Sequence, residues 1–255
     1  MWLGGAHQSY IPTHSQIRNL GMQSIGVASS LWRYPVKSLL GETIDALAFD
    51  ERGVEGDRIF AVRNGAGKFG SGKNTRRFAR MEGLLTMSAR WDAGSVLLRL
   101  PDGRVMSNDH PDLNQALSSV LGQEVELVRE AAVSHLDAGP VHLISTSALH
   151  WLRGLLPESL IDERRFRPNI LLSTSGVGVV EHDWLGKTLS FSGGLRLHIS
   201  GLTERCVMTG MRQSDLPDDL MITRAIGEHT QFNFGVYAQV MEPGILRQGE
   251  HAFLE

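Results

Sequence analysis

Short runs in which apolar and polar residues alternate dominate this chain. The segment "GETIDALAFD" (41–50) has the period of a half-buried strand, and the segments at 24–36 and 57–64 are further strand candidates. The first of these ends at Pro35, because proline has no N–H to donate to a strand ladder. The pattern predicts a β-rich fold.

Turn residues join neighbouring runs into three predicted hairpins. Their turns fall at Asp-Ala-Gly (92–94), Ser-Gly-Gly (192–194) and Glu-Pro-Gly (242–244). Glycine supplies the positive φ that tight turns need, and proline presets φ near −65°. These hairpins favour a barrel-like arrangement of short strands.

Two segments have the pattern of helices. The first, "HPDLNQALSSVLG" (110–122), has Asn108 or Asp109 as its predicted N-cap and Gly122 as its end. The second spans 145–157 and is followed by the sheet-forming segments of the second half. The sum is a mainly β fold with several helices, of the α+β class.

Composition limits the function classes. The 255 residues are 42% hydrophobic and 21% charged, with a net charge of −3, which suits one large domain or two intimate ones. The near-neutral balance gives no general nucleic-acid surface. No segment approaches the roughly 18 uncharged apolar residues of a membrane span. We therefore expect neither a nucleic-acid partner nor a membrane partner.

The single cysteine, Cys206, narrows the possible metal chemistry. One sulfur excludes an intrachain disulfide, an all-cysteine zinc site and a self-contained iron–sulfur cluster, and it suits a reducing, cytoplasmic compartment. The ten histidines show no compact ligand spacing, and each, including His142, is predicted to be structural. Arg205 directly precedes Cys206 and favours the thiolate. From this segment alone, a buried structural cysteine remains an alternative.

The first 21 residues contain no apolar core run and no signal-peptide pattern. Met22 opens the first predicted strand. We interpret residues 1–21 as a loose N-terminal extension, with either Met1 or Met22 as the natural start.

A glycine-rich segment, "GKFGSGKN" (67–74), nearly matches a nucleotide-binding phosphate loop. Asn74 stands where the motif needs a hydroxyl side chain, so we predict no such site. The segment instead presents Lys73, Arg76 and Arg77, either as an anion-facing loop or as a solvated turn.

Four other segments place a cation or an amide where a strand begins or ends. Guanidinium forks, ammonium groups and hydroxyls in such positions can converge on an anion. They carry Lys37 and Ser38, Arg58, Arg167 and Asn169, and Arg205.

Seven motifs resemble, in order and spacing, the MOSC family of molybdenum-cofactor sulfurase C-terminal domains with an N-terminal β-barrel module. The resemblance covers about Ile25 to Glu250, and the family includes amidoxime-reducing enzymes and bacterial reductases of N-hydroxylated bases. It implies an N-terminal module at 22–105 and a MOSC domain at 106–255. The motifs are "YPVKSLLGE", "RGVEGDR", "DAGPVHLISTSAL", "FRPNILL", "EHDW", "RCVMT" and "FGVYAQVMEPGILRQGE".

The resemblance also implies site residues for a molybdenum cofactor, a Mo–pyranopterin dithiolene that brings its own sulfurs. Cys206 falls on the family's catalytic cysteine, which ligates the metal. Glu204 departs from the small hydroxyl residue usual two positions earlier, and a carboxylate beside an anionic cofactor is unfavourable unless it points away. The expected cofactor-binding residues are Lys37, Ser38, Arg58, Thr75, Arg76, Asp137, Arg167, Asn169 and Arg205.

By the same resemblance, the expected function is an oxidoreductase that reduces N-hydroxylated or other N-oxygenated small molecules. A separate flavin or iron–sulfur protein would donate electrons, because no four-cysteine segment follows. Pyridoxal phosphate is not expected, since no convincing Schiff-base site is present. The alternatives are a sulfur-transfer protein that carries a persulfide on Cys206, and a cofactor-binding module without turnover.

Overall fold

The computed structural model describes residues 23–255, and the predicted extension at 1–21 lies outside them. The helices within 23–255 are all too short or too polar to cross a bilayer. The helices are α1 (Leu113–Leu121), α2 (Thr146–Leu155) and α3 (Leu220–Thr230). The strands are β1 (Gln23–Arg33), β2 (Glu42–Thr43), β3 (Ala46–Asp50), β4 (Gly53–Val54), β5 (Phe60–Asn64), β6 (Phe69–Ser71), β7 (Phe78–Arg80), β8 (Ser88–Asp92), β9 (Ser95–Arg99), β10 (Val105–Ser107), β11 (Val125–Arg129), β12 (Val141–Ser145), β13 (Ile170–Ser173), β14 (Thr188–Phe191), β15 (Arg196–Glu204), β16 (Asn233–Glu242), β17 (Gly244–Arg247) and β18 (His251–Leu254).

Seven strands close into a barrel in the order β13-β12-β16-β15-β14-β18-β1, and β1 pairs back to β13. Neighbouring strands are antiparallel except β12 and β13, which are parallel and joined by α2. Ser145 caps α2 by accepting from the backbone N–H of Ala148 at 3.0 Å. Closure leaves the barrel without a free edge. The mainly β, barrel-like prediction is confirmed.

Apolar side chains from both halves of the chain fill the barrel. Leu31, Leu143 and Leu197 are each at most 1% exposed and belong to one cluster. The same cluster takes in Leu47 from β3 and Leu246 from β17, because those two strands pair beside the barrel. The two halves therefore share a core.

The N-terminal half contributes two further sheets around a second core. The strand orders are β10-β9-β8 and β11-β5-β6-β7. Helix α1 packs Leu113 and Leu117 into this core. The helix begins after Asp112, later than predicted, because Asn108 instead accepts from the N–H of Val96 at 2.7 Å and Asp109 accepts from a nearby hydroxyl. Gly122 ends it, as predicted, with φ of 63°.

One predicted hairpin is wrong. The chain does turn between β16 and β17, but β17 pairs with β3, while β16 lies between β12 and β15. Leu246 explains the departure, since it is fully buried beside the apolar residues of β3. The predicted strand at 41–50 is likewise interrupted, and forms β2 and β3 with separate partners.

Helices α2 and α3 cover one side of the barrel through a third cluster that includes Leu149, Ile226 and Phe234. Strand β1 belongs to the barrel, and β11 pairs with β5 of the N-terminal half. The division at 105 and 106 stays a prediction. Between barrel and N-terminal sheets, loops from both halves meet at a cavity.

Candidate functional site

A cavity of about 450 Å³ opens where these loops meet. It is strongly basic, because seven basic side chains line it against two acidic ones, Asp137 and Glu204. The whole chain carries a net charge of −3, so the positive charge is a local property. Such a concentration attracts anions with several negative charges. The basic residues are Lys37, Arg58, Lys73, Arg77, Arg165, Arg167 and Arg205.

Lys37 and Asp137 form an ion pair in the cavity wall. The Nζ of Lys37, whose side chain is 5% exposed, donates to Asp137 Oδ1 and to the carbonyl of His135 at 2.9 Å. Burial lowers the pKa of Lys37, although the neighbouring carboxylate opposes this. Burial would raise the pKa of Asp137, but the charges of Lys37 and Arg58 outweigh it and hold that pKa at about 2.

Two arginines stack on one tyrosine at the back of the cavity. The guanidinium carbons of Arg58 and Arg167 lie 5.2 and 4.2 Å from the ring centroid of Tyr34. Arg58 also donates to the carboxylate of Asp57. Arg167 donates from Nη1 to the carbonyl of Leu39 at 2.5 Å, but its Nη2 is buried without a partner in the described part of the chain. Burial and the charge of Arg58 lower the pKa of Arg167 to about 10.

Three of the predicted site residues have left-handed backbones. The φ values of Ser38, Arg58 and Arg167 are 65°, 52° and 54°. This conformation is uncommon for residues other than glycine and costs about 1–3 kcal/mol each. Strained backbones of this kind cluster at functional sites, and here they turn two guanidinium groups towards one cavity.

Cys206 lies just beyond the end of β15, at the start of the short 3-10 helix Val207–Gly210, and is half-buried. Its carbonyl accepts from the N–H of Thr209 at 3.2 Å and from the Thr209 hydroxyl at 3.0 Å. Arg165, which is 1% exposed, holds this helix in place by donating to the carbonyls of Thr209 and Met211. Hydrogen bonds from Thr209 and Arg165 therefore fix the turn that places Cys206 in the cavity wall.

The buried His142 and the half-buried Arg205 contact each other beside Cys206. Arg205 Nη1 lies 3.4 Å from His142 Nε2, and His142 Nδ1 lies 3.3 Å from the carbonyl of Arg167. Because arginine only donates and a carbonyl only accepts, His142 is neutral with its proton on Nδ1. Burial and the charge of Arg205 lower the pKa of His142 well below 6.5, in agreement with this.

Arg205 itself is held by a strong contact but is not saturated. Its Nη2 donates to the carbonyl of Phe166 at 2.7 Å. Its Nε is buried and has no partner among residues 23–255. A buried N–H group without a hydrogen-bond acceptor costs free energy. Nε of Arg205 and Nη2 of Arg167 would therefore each be stabilised by an acceptor on a bound ligand.

Seven of the ten predicted site residues line the cavity, and three do not. Asn169 is fully buried, where its Oδ1 accepts from the N–H of His142 and its Nδ2 donates to the carbonyl of Trp32. Thr75 and Arg76 are exposed and do not line the cavity. The Thr75 hydroxyl instead accepts from backbone N–H groups of its own turn, at Arg77 and Phe78.

Sequence reasoning missed His142 and Tyr237, which lie in β12 and β16 and have ring centroids 5.6 Å apart. Burial raises the pKa of Tyr237, so its hydroxyl keeps its proton. The available signal was a polar ring between apolar neighbours, Val141 and Leu143 for His142 and Val236 and Ala238 for Tyr237. From the basic loop, Lys73 and Arg77 line the cavity in place of Arg76.

The arrangement combines one thiol with a basic, partly buried wall. Within residues 23–255, no three His, Cys, Asp or Glu side chains come together as a metal site. Thiolate is a soft ligand that suits a soft, redox-active metal, and the basic wall suits phosphate or another oxyanion. The geometry thus fits a ligand that carries both an anionic group and a metal needing one more sulfur.

Comparisons with known proteins match both halves of the chain. The family model for the MOSC N-terminal beta barrel domain matches residues 25–152, and that for the MOSC domain matches residues 130–252. No curated protein matches the sequence. The crystal structure of the YUAD protein from Bacillus subtilis superposes with a TM-score of 0.53 at 16% identity, over 91% of this chain and 97% of that one, and so has the same fold. YiiM from Geobacillus stearothermophilus matches at 19% identity with a TM-score of 0.34, over 46% of this chain and 54% of that one.

Proposed function

Because the chain belongs to the MOSC family, we propose that it is a molybdenum-cofactor-dependent oxidoreductase that reduces N-oxygenated small molecules. One observation carries the proposal. The only cysteine of the chain lies in a cavity where seven basic side chains converge. A buried structural cysteine would need neither the cavity nor the charge.

The residues present fit this cofactor. Its phosphate needs convergent cations, which Lys37 and Arg58 supply, each beside a different carboxylate oxygen of Asp137. Its pterin offers acceptors to the buried, unpartnered N–H groups of Arg167 and Arg205. Cys206 would provide the protein sulfur. No clustered set of protein ligands is needed, because a dithiolene brings its own sulfurs to the metal.

When bound, the cofactor supplies the redox chemistry, while the protein binds, orients and tunes it. Reduction of an N–OH group to N–H consumes two electrons and two protons and releases water. Tyr237 lines the cavity, and burial raises the pKa of its hydroxyl, so the hydroxyl stays protonated and can donate a hydrogen bond to the oxygen of an N-oxygenated substrate. Neutral His142 holds Arg205 in place beside Cys206.

The electrons come, in this proposal, from a separate flavin or iron–sulfur protein. The sequence contains one cysteine and cannot hold an iron–sulfur cluster of its own. A reduced dye can replace that partner in an assay.

The proposal is tested by purifying the protein from a host that makes the cofactor, then measuring molybdenum, pterin and turnover of an N-hydroxylated amidine with a reduced dye. We expect near-stoichiometric metal and pterin, and measurable turnover. Cyanide-releasable sulfur on Cys206 without molybdenum would instead support the sulfur-transfer function, which the half-buried, accessible thiol also permits. Bound cofactor without turnover on any N-oxygenated compound would leave only a binding module.

A further inference from the structure

Glu204 stands apart from the other charged residues of the cavity. It lines the cavity, is exposed, and forms no ion pair within residues 23–255. The other acidic residue, Asp137, is occupied by Lys37. The cavity therefore contains one carboxylate that is free to meet a ligand.

The backbone sets the distance between the Cα atoms of Glu204 and Cys206. Glu204 is the last residue of β15, and Cys206 continues the chain in an extended conformation with φ of −113° and ψ of 178°. Two residues of extended chain span about 7 Å. Leu202, Glu204 and Cys206 all line the cavity, so a ligand bound next to the thiol lies within reach of Glu204.

The nearest basic residue in the chain does not neutralise Glu204. Arg205 directs Nη2 to the carbonyl of Phe166 and Nη1 towards His142, so both of its terminal nitrogens have partners other than Glu204. An anionic ligand that binds to the buried basic side chains would leave the exposed Glu204 without a basic partner. Once an anionic ligand offsets the charge of the basic side chains, Glu204 is the carboxylate of the cavity that remains available to a cation.

We infer that Glu204 selects substrates that carry a positive charge close to the N–O bond, such as an N-hydroxyguanidinium. This inference rests on the proposed function for the nature of the reaction, but not for the binding of the cation. A guanidinium and a carboxylate can form two parallel, charge-assisted hydrogen bonds.

The test compares wild type, Glu204→Gln and the control Glu124→Gln, an exposed glutamate that does not line the cavity. An aryl N-hydroxyguanidine and the corresponding N-hydroxyurea serve as substrates, since they differ in one =NH₂⁺ against one =O. We expect Glu204→Gln to lower the preference in kcat/KM for the guanidine about tenfold, through KM. The control should keep the wild-type preference.

A second measurement is independent of turnover. Titration calorimetry with phenylguanidinium, which has no N–O bond to reduce, should give binding to wild type that weakens about tenfold in Glu204→Gln. If wild type does not bind this cation, or if both variants bind it equally, the inference is overturned. If binding depends on Glu204 while no protein shows turnover, cation recognition stands and the proposed reaction fails. Turnover with an unchanged substrate preference in Glu204→Gln overturns the inference and leaves the reaction.

Discussion

Arg58 donates from Nη1 to the carboxylate of Asp57, the residue directly before it, and the Asp57 side chain is completely buried. Asp57 also accepts from the backbone N–H of Tyr34 at 2.7 Å. Arg58 thus serves as the counter-ion of a buried carboxylate and as one of the cations of the cavity. These two roles can be separated experimentally.

Arg58→Ala should destabilise the fold strongly. Removing one partner of a buried ion pair leaves an uncompensated charge, which typically costs about 3–5 kcal/mol. The double variant Asp57→Asn, Arg58→Gln removes both charges and should recover most of that loss. Urea unfolding of the three proteins measures the difference. A single variant as stable as the double one would mean that the loss of the ion pair does not leave Asp57 as a costly buried charge.

Lys37→Met should separate cofactor binding from folding. Its partner Asp137 is 49% exposed, so the carboxylate that remains faces the solvent of the cavity and the fold should survive. The loss of a point charge from the anion site should reduce the pterin that is retained through purification. Lys187→Met, an exposed lysine that does not line the cavity, is the control. Equal pterin in both variants would show that the anion binds elsewhere.

Cys206→Ser should abolish turnover while the fold persists. The exchange replaces a soft sulfur with a hard, poorly ionised hydroxyl and changes the side-chain volume little. Activity should fall by more than the roughly 10–100-fold that loss of an outer-shell partner of a metal typically costs. Metal content, pterin content and dye-coupled turnover are measured side by side. Turnover at the wild-type rate in the serine variant would eliminate Cys206 as the metal ligand.

His142 should make stability depend on pH below neutrality. Its pKa is lowered well below 6.5 by burial and by Arg205, so it stays neutral in the folded protein while the unfolded chain binds a proton. Stability is therefore greatest above pH 6.5 and is lost as the pH falls, by about 1.4 kcal/mol per pH unit for one such histidine. Urea unfolding at pH 7 and at pH 5.5 measures the slope.

The histidine responsible can be identified by substitution. His142→Gln should reduce the slope of stability against pH by the contribution of one proton. The part that remains should come from His135 and His182, whose pKa values burial also lowers. Arg205, Arg167 and Tyr237 face His142 but stay in one protonation state over this range. An unchanged slope in His142→Gln would mean that His142 binds its proton equally well in the folded and the unfolded protein.

Local patterns predict those parts of the fold that local interactions decide. Gly94 and Gly194 both have positive φ, at 94° and 91°, and the hairpins at β8–β9 and β14–β15 form as the turn residues predict. A turn sequence predicts where the chain reverses, however, and not which strand the following segment pairs with. At Pro243 the chain turns as expected, but the buried Leu246 draws β17 to β3, far away in sequence.

The candidate site divides in the same way. Lys37, Arg58 and Cys206 stand in compact motifs, so their approach to one cavity could be predicted from the resemblance. His142 and Tyr237 escape prediction because a polar residue in a buried strand has no local signature of the cavity that it faces. Asn169 lies within a motif, yet its side-chain amide forms hydrogen bonds with the backbone of β12 and β1 and does not line the cavity.

Gly235 supports the site through the space that it leaves. Its φ is 89°, and a Cβ there would lie 2.5 Å from His142 Nε2 and 2.7 Å from the carbonyl of Leu143. Gly235→Ala should therefore displace His142, and with it the Nη1 contact of Arg205. Gly178 is a matched control, because its φ is 86° but a Cβ would meet nothing within 4 Å.

Both alanine variants share the strain of a left-handed backbone, about 1–2 kcal/mol. The free energy of unfolding of Gly235→Ala should fall by roughly 1–3 kcal/mol more, because of overpacking. The backbone carbonyl of Leu143 and the His142 ring, which is hydrogen-bonded through both nitrogens, have little room to move. Thermal unfolding of the two variants measures this difference, and pterin retention should fall only in Gly235→Ala. Equal melting temperatures together with equal pterin contents would show that His142 is free to shift, and that its contact with Arg205 does not shape the cavity.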